Sequence, residues 1–142
     1  MGKSVKCILL TPPTLAVNIA KEKGIREAVE QASSYPPIGL AYLAAVLRES
    51  GTEVKIIDAK SLKISHRKAS EMVAAEKPGL VGVTVFTTQL RSALTLCRKV
   101  KEACPDAKVV VGGPHVNPLH RELTQEECID FCVRGEGEIT LR

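Results

Sequence analysis

Short runs of consecutive apolar residues alternate along the chain with longer stretches in which apolar positions recur every three or four residues. The first pattern covers Val5 to Leu10 (VKCILL), Glu53 to Asp58 (EVKIID), Leu80 to Phe86 (LVGVTVF), Lys108 to Val111 and Ile129 to Val133. Runs of this kind read as strands covered on both faces. The second pattern predicts three helices. One spans Ile38 to Ser50 (IGLAYLAAVLRES) and stops at Gly51; another spans Ser65 to Glu76 and is closed by Lys77-Pro78-Gly79. The third spans Gln89 to Ala103, with Leu90, Leu94, Leu96, Cys97 and Val100 on its inner side. Strands that alternate with helices of this length build a parallel, doubly wound α/β sheet with right-handed crossovers, here of five strands in the expected order 2-1-3-4-5.

That order is the flavodoxin-like arrangement, in which loops at the carboxyl ends of the strands converge on a ligand crevice. Two blocks fall there: VVVGGPH at residues 109 to 115 and RGEGE from Arg134 to Glu138. Their glycines let backbone come close to a bound molecule. Two parts break the rhythm. Between strand one and its helix lies an insertion from Pro12 to Pro37, with an amphipathic stretch from Ile19 to Gln31 and a closing Ser33-Ser34-Tyr35-Pro36-Pro37. It leaves from the carboxyl end of strand one and is expected to hang over the crevice, as functional lids do. The chain also stops at Arg142, a few residues into the helix that RGEGE should begin. A helix of about two turns is marginal alone, so residues 1–142 read as one domain at the front of a longer protein.

Composition narrows the classes. A chain of 142 residues, 44% hydrophobic and 25% charged, fits one domain with a real core. The net charge of +4 is spread over predicted helices and only 3% of residues are aromatic, so the basic stripe and stacking side chains of a nucleic-acid binder are missing. No apolar stretch reaches the roughly 18 residues of a membrane span, and the first residues lack the apolar core of a signal peptide; a cytoplasmic location is expected. Five scattered cysteines suit free thiols better than a disulfide framework. Cys97 and Cys104 lie about 10 Å apart along a helix at a rise of roughly 1.5 Å per residue, which suits packing and not a disulfide. Cys128 and Cys132 have the spacing of the first two ligands of a CxxxCxxC loop, but the third position is Gly135.

Four blocks in order carry a resemblance: PPIGLAYLAAVLRESGTEVKIIDA, LVGVTVFTTQL, AKVVVGGPHV and IDFCVRGEGEITL. Together they resemble the amino-terminal cobalamin-binding domain of the B12-dependent radical SAM enzymes, almost from end to end of the chain. Proteins of this kind include class B radical SAM methyltransferases and the anaerobic magnesium-protoporphyrin IX monomethyl ester cyclase. The resemblance implies cobalamin as cofactor, with the corrin over the carboxyl edge of the sheet and the nucleotide arm running down between strands and helices. It further implies a radical SAM domain after residue 142 as partner, carrying a [4Fe-4S] cluster and S-adenosylmethionine and reading the small-molecule substrate. The present residues contain no three-cysteine cluster loop, so the domain alone is expected to catalyse nothing.

The residues that the resemblance assigns to the cofactor are Thr11, Pro12 and Pro13 after strand one, then Tyr35, Pro37 and Gly39 entering the first helix. Thr84, Phe86, Thr87 and Thr88 follow from strand three, Gly112, Gly113, Pro114 and His115 from strand four, and Gly135, Glu136 and Gly137 from strand five. Glycines would admit the arm, and threonine hydroxyls would meet its phosphate and ribose as neutral partners. Leu40 and Tyr42 read as core or corrin-packing, and the carboxylates of Glu136 and Glu138 as caps on backbone amides. Cobalamin proteins with a histidine lower ligand carry Asp-x-His-x-x-Gly after strand one; here that place reads Thr11-Pro12-Pro13-Thr14-Leu15. The implied state is therefore base-off cobalamin with no protein imidazole in its place. His66 falls at a helix start and His120 in a loop after strand four.

Rival readings fail on chemistry. A phosphoacceptor receiver needs paired acids after strand one, an Asp closing strand three and a Lys after strand five, where this chain has Thr11-Pro12, Phe86-Thr87 and Arg134-Gly135. An FMN site wants a hydroxyl-rich first loop with flanking aromatics, and an NAD site wants GxGxxG there. The alternative left open is a non-catalytic interaction module of the same fold that has lost cobalamin binding.

Overall fold

The computed structural model describes residues 5–14 and 36–141; Tyr35 and the stretch from Ile19 to Gln31 lie outside them. The strands β1 (Lys6–Thr11), β2 (Glu53–Asp58), β3 (Leu80–Thr84), β4 (Lys108–Gly112) and β5 (Phe131–Cys132) form one parallel sheet in the order β2-β1-β3-β4-β5. Among the described residues the helices are α1 (Ile38–Glu49), α2 (His66–Glu76), α3 (Leu90–Ala103), α4 (Val116–Leu123) and α5 (Gly137–Thr140), with a 3-10 turn, Thr87–Gln89, ahead of α3. The expected topology and strand order are those observed.

Most boundaries agree with the sequence reading to within a residue, and three larger differences each have a local reason. Strand β3 ends at Thr84 because Phe86 onward turns into the 3-10 helix. Strand β5 is shorter than Ile129–Val133: Ile129 N–H closes a turn onto Glu126 O at 3.0 Å, although Asp130 N–H to Val109 O (2.8 Å) and Val133 N–H to Val111 O (2.8 Å) carry its pairing past both ends. The segment holding His120 is a helix and not a loop. Pro118 stands third in α4, and a proline in the first turn removes only an N–H that has no helical partner there.

The two faces of the sheet are built differently. On one, the rows Ile8–Val81–Val109 and Leu10–Val83–Val111 lie side by side in register and pack against α2, α3 and α4 through Val73, Leu96, Cys97, Val100 and Val116. This is the main core, and every one of those strand residues is buried. On the other face, α1 covers β1 and β2, with Leu40, Ala44 and Leu47 against Cys7, Leu9 and Val54. Beyond β1 the corresponding rows are Leu9–Gly82–Val110 and Thr84–Gly112. Their helical cover is the four-residue α5, which rests on α1 where Gly137 meets Leu43. Two strand glycines under so short a cover leave space instead of core.

Ion pairs tie the amino end together. Lys6 Nζ reaches Glu76 at 2.6 Å and Glu53 at 2.9 Å, and Lys55 also holds Glu76. The Lys55 and Lys6 ammonium groups draw the Glu76 carboxyl down to about 2, from an ordinary value of 4.5. A carboxylate with a depressed folded pKa contributes stability above its unfolded pKa and loses it as the pH falls through the folded one. Acid unfolding should therefore show a loss of stability between about pH 4.5 and 2 that Glu76→Gln flattens, measured as denaturation midpoints across that window. Burial acts on the thiols in the opposite sense, pushing Cys7 up to about 11. All five cysteines are free; Cys97 and Cys128 are buried in the main core and Cys104 lies at the end of α3, as packing residues do.

A cavity at the carboxyl edge of the sheet

The space left by the glycine rows is a cavity of ≈ 580 Å³ that opens at the carboxyl edge and runs down between the sheet and α1. Its floor is Leu9, Gly82, Val110 and Val133, and its inner wall is Leu40, Leu43 and Leu141. Thr84, Phe86, Thr88 and Gln89 line it from the β3 loop, Gly112, Gly113 and Pro114 from the β4 turn, and Gly135, Glu136, Gly137 and Glu138 from the β5 turn. Thr11 and Lys60 line it from β1 and the β2 loop, and Pro36, Pro37, Ile38 and Gly39 from the entry to α1. The deep end is thus apolar and the mouth polar.

The β4 turn explains how a chain can pass so close to β3. Gly113 sits at φ +109, which side chains rarely adopt, and a Cβ there would lie 2.9 Å from Val85 O and 3.1 Å from both Val85 N and Thr84 Oγ1. Hydrogen bonds from Val85 N–H to Gly112 O (2.7 Å) and from His115 N–H to Val85 O (3.2 Å) lock the turn onto the end of β3. At Gly112, by contrast, an added Cβ would meet Val133 at ordinary contact distance, 3.8 Å. The β5 turn is held from α4, where Asn117 Oδ1 accepts from Gly135 N–H at 2.9 Å.

Twelve of the residues singled out in the sequence come together on this lining: Thr11, Pro37, Gly39, Thr84, Phe86, Thr88, Gly112, Gly113, Pro114, Gly135, Glu136 and Gly137. Four others, Pro12, Pro13, Thr87 and His115, are not on the lining. Pro12 and Pro13 are buried, and the Pro13 carbonyl accepts from Ser92 Oγ, which is itself 2.8 Å from His66 Nε2. Burial holds that imidazole below its ordinary pKa. Thr87 Oγ1 is 3.0 Å from His115 Nδ1, so this hydroxyl is turned to the histidine. His115 is 8% exposed, and its Nε2 is buried with no hydrogen-bond partner among the described residues. Tyr35 lies outside those residues. Leu40 is buried in the cavity wall, whereas Tyr42 points outward and is 64% exposed, so it is neither core nor lining. Glu136 makes no capping bond to α5; the amide that needed a partner, Gly135 N–H, takes it from Asn117.

Sequence reasoning missed Lys60, Asn117, Gly82 and the apolar floor. Of these only Gly82 carries a local signal, since a glycine inside an apolar strand marks a close approach. None of the three histidines lines the cavity: His66 bonds Ser92, His115 bonds Thr87, and His120 Nδ1 lies 3.3 Å from Asn117 O. Among the described residues no helix is long and apolar enough to cross a membrane.

The model of the B12 binding domain family matches residues 28–142. An uncharacterised methyltransferase of Pyrococcus horikoshii is 37% identical over 142 residues, which is 99% of this chain and 28% of that protein. The anaerobic magnesium-protoporphyrin IX monomethyl ester cyclase of Cereibacter sphaeroides is 36% identical over 114 residues, 79% of this chain and 19% of the cyclase. The chain therefore spans about a quarter or less of the length of these relatives. In three dimensions it resembles the radical S-adenosylmethionine methyltransferase TsrM of Kitasatospora setae with cobalamin and a [4Fe-4S] cluster bound. The TM-score is 0.76 at 23% identity, over 97% of this chain and 23% of that one.

Proposed function

The chain belongs to the B12-binding domain family, and from that premise we propose that it binds cobalamin with the corrin across the mouth of the cavity and the nucleotide arm inside it. The observation that carries the reading is the two-faced sheet: the same three strands that present Ile, Leu and Val to α2 and α3 present Gly82 and Gly112 to the cavity. A volume of ≈ 580 Å³ is within the roughly 300–1,000 Å³ of small-molecule sites. The apolar floor suits a benzimidazole ring, and the polar mouth suits a ribose and the amide-bearing corrin rim. Gly113 brings backbone where any side chain would collide.

No histidine lines the cavity, which supports a base-off cofactor without a protein imidazole. Bound cobalamin would supply the reactive cobalt centre; this chain would supply its orientation and the slot for its nucleotide arm. With relatives that are methyltransferases and a cyclase, we place the chain as the cobalamin domain of a radical SAM enzyme. Its partner would be a further domain of the same polypeptide carrying a [4Fe-4S] cluster and S-adenosylmethionine. The substrate, and the choice between methyl transfer and oxidative cyclisation, belong to that domain.

Incubation with hydroxocobalamin followed by gel filtration tests binding: pigment should co-elute with the protein. The visible spectrum of the complex should be that of base-off cobalamin, and a spectrum with imidazole coordinated to cobalt would refute the ligand-free lower face. Colourless protein would refute the cobalamin reading itself.

A further inference from the structure

Among the described residues Lys60 is the one cation that lines the cavity, and none of those residues forms an ion pair with it. The nearest carboxylate in sequence is occupied. Asp58 Oδ1 accepts from Thr11 Oγ1 at 2.5 Å and from Ser61 N–H at 3.2 Å, and Asp58 Oδ2 accepts from the Ser61 hydroxyl. The carboxylates that do line the cavity, Glu136 and Glu138, stand at the β5 end, whereas Lys60 stands at the β2 and β1 end. The backbone carrying Lys60 is fixed: its N–H reaches Thr11 Oγ1 at 3.4 Å, its carbonyl accepts from Lys63 N–H at 3.1 Å, and Leu62 N–H closes onto Asp58 O at 2.9 Å. The cavity is therefore polarised along the sheet, positive where β2 ends and negative where β5 ends. An unpaired ammonium at a partly desolvated mouth lacks a counter-charge, and an anionic ligand oxygen is its natural partner.

Resting on the cobalamin reading above, we propose that Lys60 is the anion-recognition residue of this site and pairs with the phosphodiester of the cofactor's nucleotide arm. The phosphodiester is the cofactor's one anionic side-chain group and stays ionised across the physiological range. Neutral hydroxyls at Thr84 and Thr88 would complete the contact, with Lys60 setting which way the arm enters.

Cobinamide, which keeps the corrin and lacks the phosphodiester and nucleotide, separates this from the parent reading. Hydroxocobalamin and cobinamide are titrated by visible absorption against the wild-type chain, Lys60→Met and Lys60→Arg. Lys60→Met keeps the apolar stem and should weaken cobalamin about tenfold, the size of a lost charge-assisted bond, with cobinamide changed by less than about twofold; Lys60→Arg should restore most of the loss. Raising the salt concentration should erode the difference between wild type and Lys60→Met. Equal weakening of both ligands, or unchanged cobalamin affinity in Lys60→Met, would overturn the role of Lys60 while the cobalamin reading stands. Wild-type chain that binds neither ligand would overturn both.

Discussion

Gly112→Leu should leave the protein folded and cost it its corrinoid. The substituted Cβ meets Val133 at 3.8 Å and the Val133 carbonyl at 3.9 Å, ordinary contacts, and residue 112 has strand geometry in register with Thr84. Glycine in a strand is unfavourable by roughly 0.5–1 kcal/mol against alanine, so the midpoint of thermal unfolding should stay or rise slightly. Gly112 lines the cavity together with Thr84 and Val133, so an isobutyl group there is expected to fill the space where the nucleotide arm is proposed to lie. Hydroxocobalamin affinity should fall by at least about a hundredfold, ~2.7 kcal/mol, in a spectral titration. Undiminished affinity in a folded Gly112→Leu protein would remove the arm from this cavity.

Gly113→Ala, one residue on, should do the reverse and damage the fold first. Here the added methyl faces backbone, 2.9 Å from Val85 O and 3.1 Å from Val85 N, and the residue sits at φ +109. Neither obstacle is a flexible side chain that could step aside. Backbone in this region costs a non-glycine residue of order 1–3 kcal/mol, and relief of the clash would break the Val85–Gly112 and His115–Val85 hydrogen bonds. A loss of about 3 kcal/mol is expected, which for a domain of this size lowers the melting midpoint by roughly 10 °C. A melting curve matching wild type would mean that the turn finds another path around the end of β3. The pair of neighbours thus separates slot from scaffold: 112 tests occupancy and 113 tests architecture.

Much of this was legible in the chain because a parallel sheet writes its strands as unbroken apolar runs. LVGVTVF, KVVV and VKCILL cannot be amphipathic helices, and helix stops such as Gly51 and Lys77-Pro78-Gly79 set the spacing. Helix α4 was illegible for the opposite reason. Asn117-Pro118 reads as a breaker, and only its place in the first turn of the observed helix makes the proline harmless. The rim of the cavity was legible as glycine-bearing loops after strands, whereas its floor was not. Leu9, Gly82 and Val110 are far apart in sequence and become neighbours through register alone, and a single strand does not state which of its two faces is left uncovered. Lys60 and Asn117 carried no local signal either. One matters because none of the described residues forms an ion pair with it, the other because it pairs with the backbone of a distant turn.

The alternation along β1, β3 and β4 separates two kinds of heritable change. Substitutions at 8, 10, 81, 109 and 111 alter how firmly the chain folds, while those at 84 and 112, at the cavity ends of the strands, alter chiefly what it holds. Descendants of this domain could drift in ligand preference, or lose the ligand and persist as a scaffold, without first passing through an unstable ancestor. A single-residue insertion in β3 has no such licence, since it would exchange the two sets at once.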